Sequence, residues 1–288
     1  VFYPIYPRSF FDSNGDVIGD LPGIISKLDY LQELGVDALW LSPIYDSPND
    51  DNGYDIRDYD KIMEEFGTME DFERLLTEVH RRGMRLIMDL VVNHTSDEHR
   101  WYREALNPGS PYRDYYFFRE DDGSHTPPNN WTSFFSGPAW KYEEACDSWA
   151  LHLFSKKQMD LNWENPKMRE NVIAMINRWL DKGVDGFRMD VINYISKEDG
   201  LPDGNETIGS LMGFTGIEHY YYGPKLHQYL REIRERAFAP HDAFSVGETP
   251  GPGMKMCQLL TGEERRELDM VFSFDHLETP GHVRFEDY

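Results

Sequence analysis

Apolar positions along this chain alternate between two spacings. Dense or every-other apolar runs read as strands: "VFYPIYPRSF" (1–10), "VDALWLSPIY" (36–45), "RLIMDLVVNH" (85–94), "VDGFRMDV" (184–191), "AFSVGE" (243–248) and "DMVFSFDH" (269–276). Between them, apolar residues recur every three to four positions in "LPGIISKLDYLQELG" (21–35), "TMEDFERLLTEVHRRG" (68–83), "PKMRENVIAMINRWLDKG" (166–183) and "GPKLHQYLREIRERAF" (223–238), the mark of amphipathic helices. Thr68 followed by Asp71 adds a capping signal at the start of the second helix. A shorter helical stretch is expected near 255–266.

Strands that are apolar on both faces and separated by helices imply a parallel sheet. Polar residues gather at the C-terminal end of each strand, which favours a (β/α)8 TIM barrel over an open sheet. A loop-rich stretch interrupts the rhythm between the third strand and the third helix. The expected organisation is therefore a barrel first part at 1–94, a small inserted subdomain at 95–165, and a barrel second part at 166–288. Six strands are counted where a closed barrel needs eight, so the chain is expected to hold about six of the eight strands.

Composition narrows the partners. The 288 residues include 52 acidic and 29 basic side chains, a net charge of −23. Such a surface repels nucleic acid and anionic membranes, and a small neutral substrate fits it better. No apolar run approaches the roughly 20 residues of a membrane span. No signal peptide is evident, and the two cysteines, Cys146 and Cys257, are too few for a disulfide framework. The expected location is cytoplasmic.

In a barrel the chemistry sits at the C-terminal strand ends. Those ends supply Tyr54 and Asp55 after the second strand, Asp89, Asn93 and His94 on the third, Arg188 and Asp190 on the fourth, Glu248 on the fifth, and Asp275 and His276 on the sixth. Arg188 and Asp190 stand two apart and share a face, with Phe187, Met189 and Val191 on the other. A guanidinium beside Asp190 favours its charged form, whereas Glu248 has no adjacent cation in sequence. One ionised and one protonated carboxyl group on neighbouring strands is what glycoside hydrolysis needs, although a purely structural Arg188–Asp190 ion pair would leave the same spacing.

A second motif lies near the start. "DSNGDVIGD" (12–20) sets Asp12, Asn14 and Asp16 at alternate positions, then Ile18 and Asp20, like the opening of an EF-hand loop. It lacks the bidentate Glu at the twelfth position, so an Asx-rich turn explains the same residues.

"DLVVNH", "GFRMDV" and "VGE", in that order on strands three, four and five, resemble the signature segments of the α-amylase-type glycoside hydrolase family, over nearly all 288 residues. "QMDLNWENP" (158–166) and "GFRMDVINYISK" (186–197) are most similar to its oligo-1,6-glucosidase subgroup, which also holds α-glucosidases and sucrose isomerases. The resemblance implies a retaining mechanism with Asp190 as nucleophile and Glu248 as acid and base. It further implies that Arg188 holds Asp190, that His94 and Asp55 bind glucose hydroxyls, and that Tyr54 stacks under the ring. Asp89 would orient Arg188. Val191 after the nucleophile goes with α-1,6 cleavage in that subgroup, where Ala or Thr goes with α-1,4 bonds or sucrose. The resemblance also favours a structural Ca2+ held by Asp12, Asn14, Asp16, the Ile18 carbonyl and Asp20. The family's third carboxylate lies on strand seven, so Asp275 and His276 are expected to be structural. The implied activity is exo-acting release of glucose from isomaltose-type oligosaccharides. Sucrose isomerisation, α-1,4 preference and a non-catalytic relative are the alternatives.

Overall fold

The computed structural model describes residues 1–272 and 274. Six parallel strands form one sheet in chain order: β1 (Phe2–Ile5), β2 (Ala38–Leu41), β3 (Arg85–Leu90), β4 (Gly186–Met189), β5 (Phe244–Glu248) and β6 (Met270–Phe272). These are successive strands of a barrel, as the spacing predicts. Asp275 and His276 fall outside the described residues.

The register aligns the polar residues. Arg188 of β4 pairs with Asp89 of β3 on one side and with Val246 of β5 on the other. Since side chains alternate along a strand, Asp89, Arg188, Asp190, Val246 and Glu248 share the face turned away from the helices. The opposite face is dry: Phe187 and Met189 are fully buried, and Phe187 meets Phe238 at 6.1 Å between ring centroids.

Helix Pro166–Asp181 shows why the outer layer forms where it does. Asn165 caps it by accepting from the amides of Lys167 and Met168, and Pro166 occupies the first turn, where no partner for an N–H is needed. Met168, Val172, Met175, Ile176 and Trp179 then line one buried stripe. Helix Met69–Arg81 carries the expected capping box, with Thr68 and Asp71 each accepting from the other's backbone. The stretch expected as one helix at 21–35 is two, Leu21–Ser26 and Leu28–Glu33, broken at Lys27.

The insert departs and returns side by side. The short strand His94–Ser96 pairs antiparallel with Gln158–Asp160, which sets His94 opposite Asp160. His94 thus belongs to this junction rather than to β3 itself. Within the insert, Phe118–Glu120, Ser148–Leu151 and Trp140–Glu143 form a three-stranded antiparallel sheet. A second apolar cluster, including Trp131, Trp140, Leu153, Val191 and Tyr220, joins the insert to the segment after β4. No helix among the described residues is long and apolar enough to cross a membrane.

Candidate active site

One buried guanidinium gathers three carboxyl groups. Arg188 Nη1 donates to both oxygens of Asp89 (2.9 and 3.0 Å) and to Asp190 Oδ1 (2.8 Å), while Nη2 donates to Glu248 Oε2. Trp40 covers the cation at 5.0 Å and Tyr54 at 5.6 Å from ring centroid to guanidinium carbon. Asp89 is completed by Trp40 Nε1 at 3.1 Å and the Tyr54 hydroxyl at 3.2 Å. With every oxygen engaged below Arg188, Asp89 orients the cation and leaves Asp190 and Glu248 at the strand ends.

Burial and like charge separate the carboxyl groups. Burial first, then the charge of Asp190, push Glu248 up to about 8, against the opposing pull of Arg188. Asp89 is also raised, by burial more than by Asp190, with Arg188 acting the other way. Glu248 hydrogen-bonds Asp190 and accepts the Val191 amide at 3.4 Å. A Glu248 that holds its proton is thereby set beside Asp190, with both side chains on Arg188.

The loop after β2 is organised by Asp55, and not in the way the sequence suggested. Asp55 is fully buried and accepts from the Ser47 hydroxyl (3.0 Å) and the amides of Asp50 (2.8 Å) and Asp51 (3.1 Å). Its carboxylate builds the loop from a fully buried position. Asp51 is the more open acid of this loop: it is half-buried, accepts from Gln158 Nε2 at 2.9 Å, and lies near His94 and Asp190. Burial is the largest cause of its raised pKa. Asp51 was missed because "NDDNGYD" has several acids and no periodicity to say which faces the pocket.

His94 lies beside it. Its Nδ1 accepts from Asn93 Nδ2 at 3.2 Å, which places the proton on Nε2, and Nε2 donates to the Tyr54 carbonyl at 3.0 Å. The Phe154 ring backs it at 5.2 Å. Behind Asn93, the buried Lys197 ammonium bonds Asp160 at 2.7 Å and Asn93 Oδ1 at 2.9 Å. The histidine is thereby tied to the junction that closes the insert.

Val191 turns the chain sharply after Asp190. It adopts φ 36 and ψ 40, a left-handed conformation that costs a β-branched residue on the order of 1–3 kcal/mol. Its side chain is buried in the cluster shared with the insert, and its amide faces Glu248. The strained residue therefore links Glu248 to the apolar cluster shared with the insert.

The loop at 12–20 is a chain of Asx turns. Asp12 accepts from the amides of Asn14, Gly15 and Val17, Asn14 from Asp16, and Asp16 from Ile18. Asp20 caps the next helix through Gly23 and holds Ser13. Among the described residues no three His, Cys, Asp or Glu side chains converge to hold a metal. The donor set is nonetheless all oxygen, and a carboxylate that accepts three N–H or O–H groups keeps about one acceptor site for a hard cation.

A cavity of about 490 Å³ lies at the opposite strand ends among Asp37, Arg85 and Asp185 and contains none of these residues. A smaller one of about 220 Å³ runs beneath Arg188, lined by Trp40, Val246 and Phe272.

Comparison with known proteins bears on this arrangement. Residues 4–284 match the family described as Alpha amylase, catalytic domain. An oligo-1,6-glucosidase of Halalkalibacterium halodurans is 60% identical over 279 residues, which is 96% of this chain and 49% of that protein. An oligo-1,6-glucosidase of Bacillus cereus is 58% identical over 280 residues, 96% of this chain and 50% of that protein. The crystal structure of Bacillus licheniformis trehalose-6-phosphate hydrolase superposes with a TM-score of 0.92 at 48% identity, covering 96% of this chain and 49% of that one. The chain spans about half the length of the curated relatives it matches.

Proposed function

Because the chain belongs to the alpha-amylase catalytic-domain family, we propose that it carries the catalytic pair of a retaining, exo-acting α-glucosidase that cleaves α-1,6 bonds of isomaltose-type oligosaccharides. The observation that carries the reading is the convergence of Asp190 and Glu248 on Arg188 at adjacent strand ends, with Glu248 raised. Asp190 would bond the anomeric carbon as the glycosidic bond breaks, while the Glu248 proton passes to the departing oxygen. Glu248, now a carboxylate, would take a proton from water, and the hydroxide so formed would displace Asp190. Asp51 and His94 would hold hydroxyls of the glucose, and Tyr54 would pack under its ring.

The α-1,6 preference rests on Val191 and on the oligo-1,6-glucosidase names of the relatives at 60% and 58% identity. A buried, strained Val191 narrows the side on which the leaving sugar sits. Comparing kcat/KM for isomaltose and maltose in the protein at its native length tests the preference: isomaltose should be the better substrate, and a clear maltose preference contradicts it. Product analysis with sucrose separates hydrolysis from isomerisation. A cytoplasmic site of action is part of the same reading.

We further propose that Asp12, Asn14, Asp16, the Ile18 carbonyl and Asp20 hold a structural Ca2+. An ion there would fasten the loop after β1 and take no part in the chemistry. Thermal midpoint should rise with added Ca2+ and fall with chelator, and a midpoint indifferent to both contradicts it.

A further inference from the structure

The segment "HYYYG" (219–223) carries three consecutive tyrosines, and two of their hydroxyls end on the loop that follows Glu248. In that loop, "TPGPG" (249–253), Pro250 and Pro252 have no N–H to donate, so much of its hold must come from groups outside it. Tyr222 Oη lies 3.3 Å from the Thr249 carbonyl and 3.0 Å from that of Pro250, and Tyr221 Oη donates to the Gly251 carbonyl at 2.5 Å. Three consecutive carbonyls directly after Glu248 are thus met by two phenols.

The same segment is anchored at the nucleophile's side. Tyr222 sits at φ 51 and donates its amide to the Asn193 carbonyl at 3.1 Å, three residues past Asp190. At Gly223 the backbones approach so closely that an added Cβ would stand 1.9 Å from the Ser196 carbonyl. Gly251 is equally constrained, with φ +66 and a virtual Cβ 1.9 Å from Tyr221 Oη. The rings brace each other edge to face at 4.7 Å. One side of this segment is fastened to the exit of β4 and the other to the exit of β5.

We propose that Tyr221 and Tyr222 are positioning residues that fix the acid carboxyl of Glu248 against Asp190 and the leaving oxygen. The inference rests on Glu248 being the acid. Without the hydroxyls, the Pro-Gly loop would draw the end of β5 out of register with β4, and proton delivery would suffer more than attack by Asp190.

The readout is therefore the dependence on leaving group. Tyr221→Phe and Tyr222→Phe keep the rings and remove only the hydroxyls. In the protein at its native length, kcat/KM is measured for isomaltose, whose leaving sugar needs a proton, and for 4-nitrophenyl α-glucoside, whose phenolate departs without one. General-acid assistance is worth about 10²–10⁴-fold, and partial misalignment should lower the isomaltose to aryl-glucoside ratio by about tenfold in Tyr222→Phe and further in the double variant. Activity on the aryl glucoside also reports folding. Rates that fall in parallel on both substrates, or a ratio equal to the parent's, overturn the proposal. Glu248→Gln separates the two layers: a collapsed ratio there with parental ratios in both Tyr variants sinks the brace alone, while a parental ratio in Glu248→Gln sinks the acid assignment and the brace with it.

Discussion

Glu248 carries two consequences that can be measured separately. Its pKa in the fold, about 8, lies above the ordinary value of 4.5 for glutamate. A carboxyl group raised in this way stabilises the fold fully below the unfolded value, and that stability is lost as pH rises through the folded value. Glu248→Gln has nothing to ionise, so its urea midpoint should fall less between about pH 5 and about pH 8.5 than the parent's. Equal slopes would show that Glu248 ionises freely in the fold. Activity follows the same direction: the acid must be protonated, so the alkaline limb of kcat/KM should extend well beyond the range of an ordinary glutamate. Asp51 is the second residue at this scale. A hydrogen bond to a charged group contributes about 1.5–3 kcal/mol, so Asp51→Ala should lower kcat/KM by about ten- to a hundredfold while Asp55→Ala acts mainly on stability.

At the scale of elements, the junction between His94–Ser96 and Gln158–Asp160 is held by a buried ion pair. Burial lowers the Lys197 pKa, and Asp160 works against that. Removing one partner of such a pair costs about 3–5 kcal/mol, so Lys197→Ala should lower the unfolding free energy read from a urea titration by that much and loosen His94. Much of the sheet was legible because each strand is a dense apolar run and the polar exceptions, Asp89, Arg188, Asp190 and Glu248, recur on one face. Breaks inside an apolar pattern were not legible: the spacing runs unbroken through Lys27, where the chain leaves one helix and starts another. The hairpin of Tyr45–Asp46 with Asp58–Ile62 was also hidden, since its strands are short and "DYDKI" is mostly polar. Asp51 and Tyr222 were hidden for a third reason, because loop geometry depends on hydrogen bonds between distant segments and leaves no local period.

For the whole molecule, the −23 charge and the carboxyl groups gathered on Arg188 fit the neutral substrate proposed above. The second apolar cluster joins the insert, the turn at Val191 and the segment carrying Tyr220, so a change at Val191 reaches the leaving-group side through packing as well as contact. Val191→Ala should reduce the isomaltose to maltose ratio of kcat/KM, and an unchanged ratio would detach linkage preference from this residue. The central claim is that Asp190 bonds the sugar while Glu248 handles the proton. Its most direct test is to treat the Glu248→Gln protein at its native length with α-glucosyl fluoride, which needs no acid to depart, and to map the product by peptide mass spectrometry. The account predicts a glucosyl adduct on Asp190; an adduct on another carboxyl group, or glucose released first as the β-anomer, would contradict it.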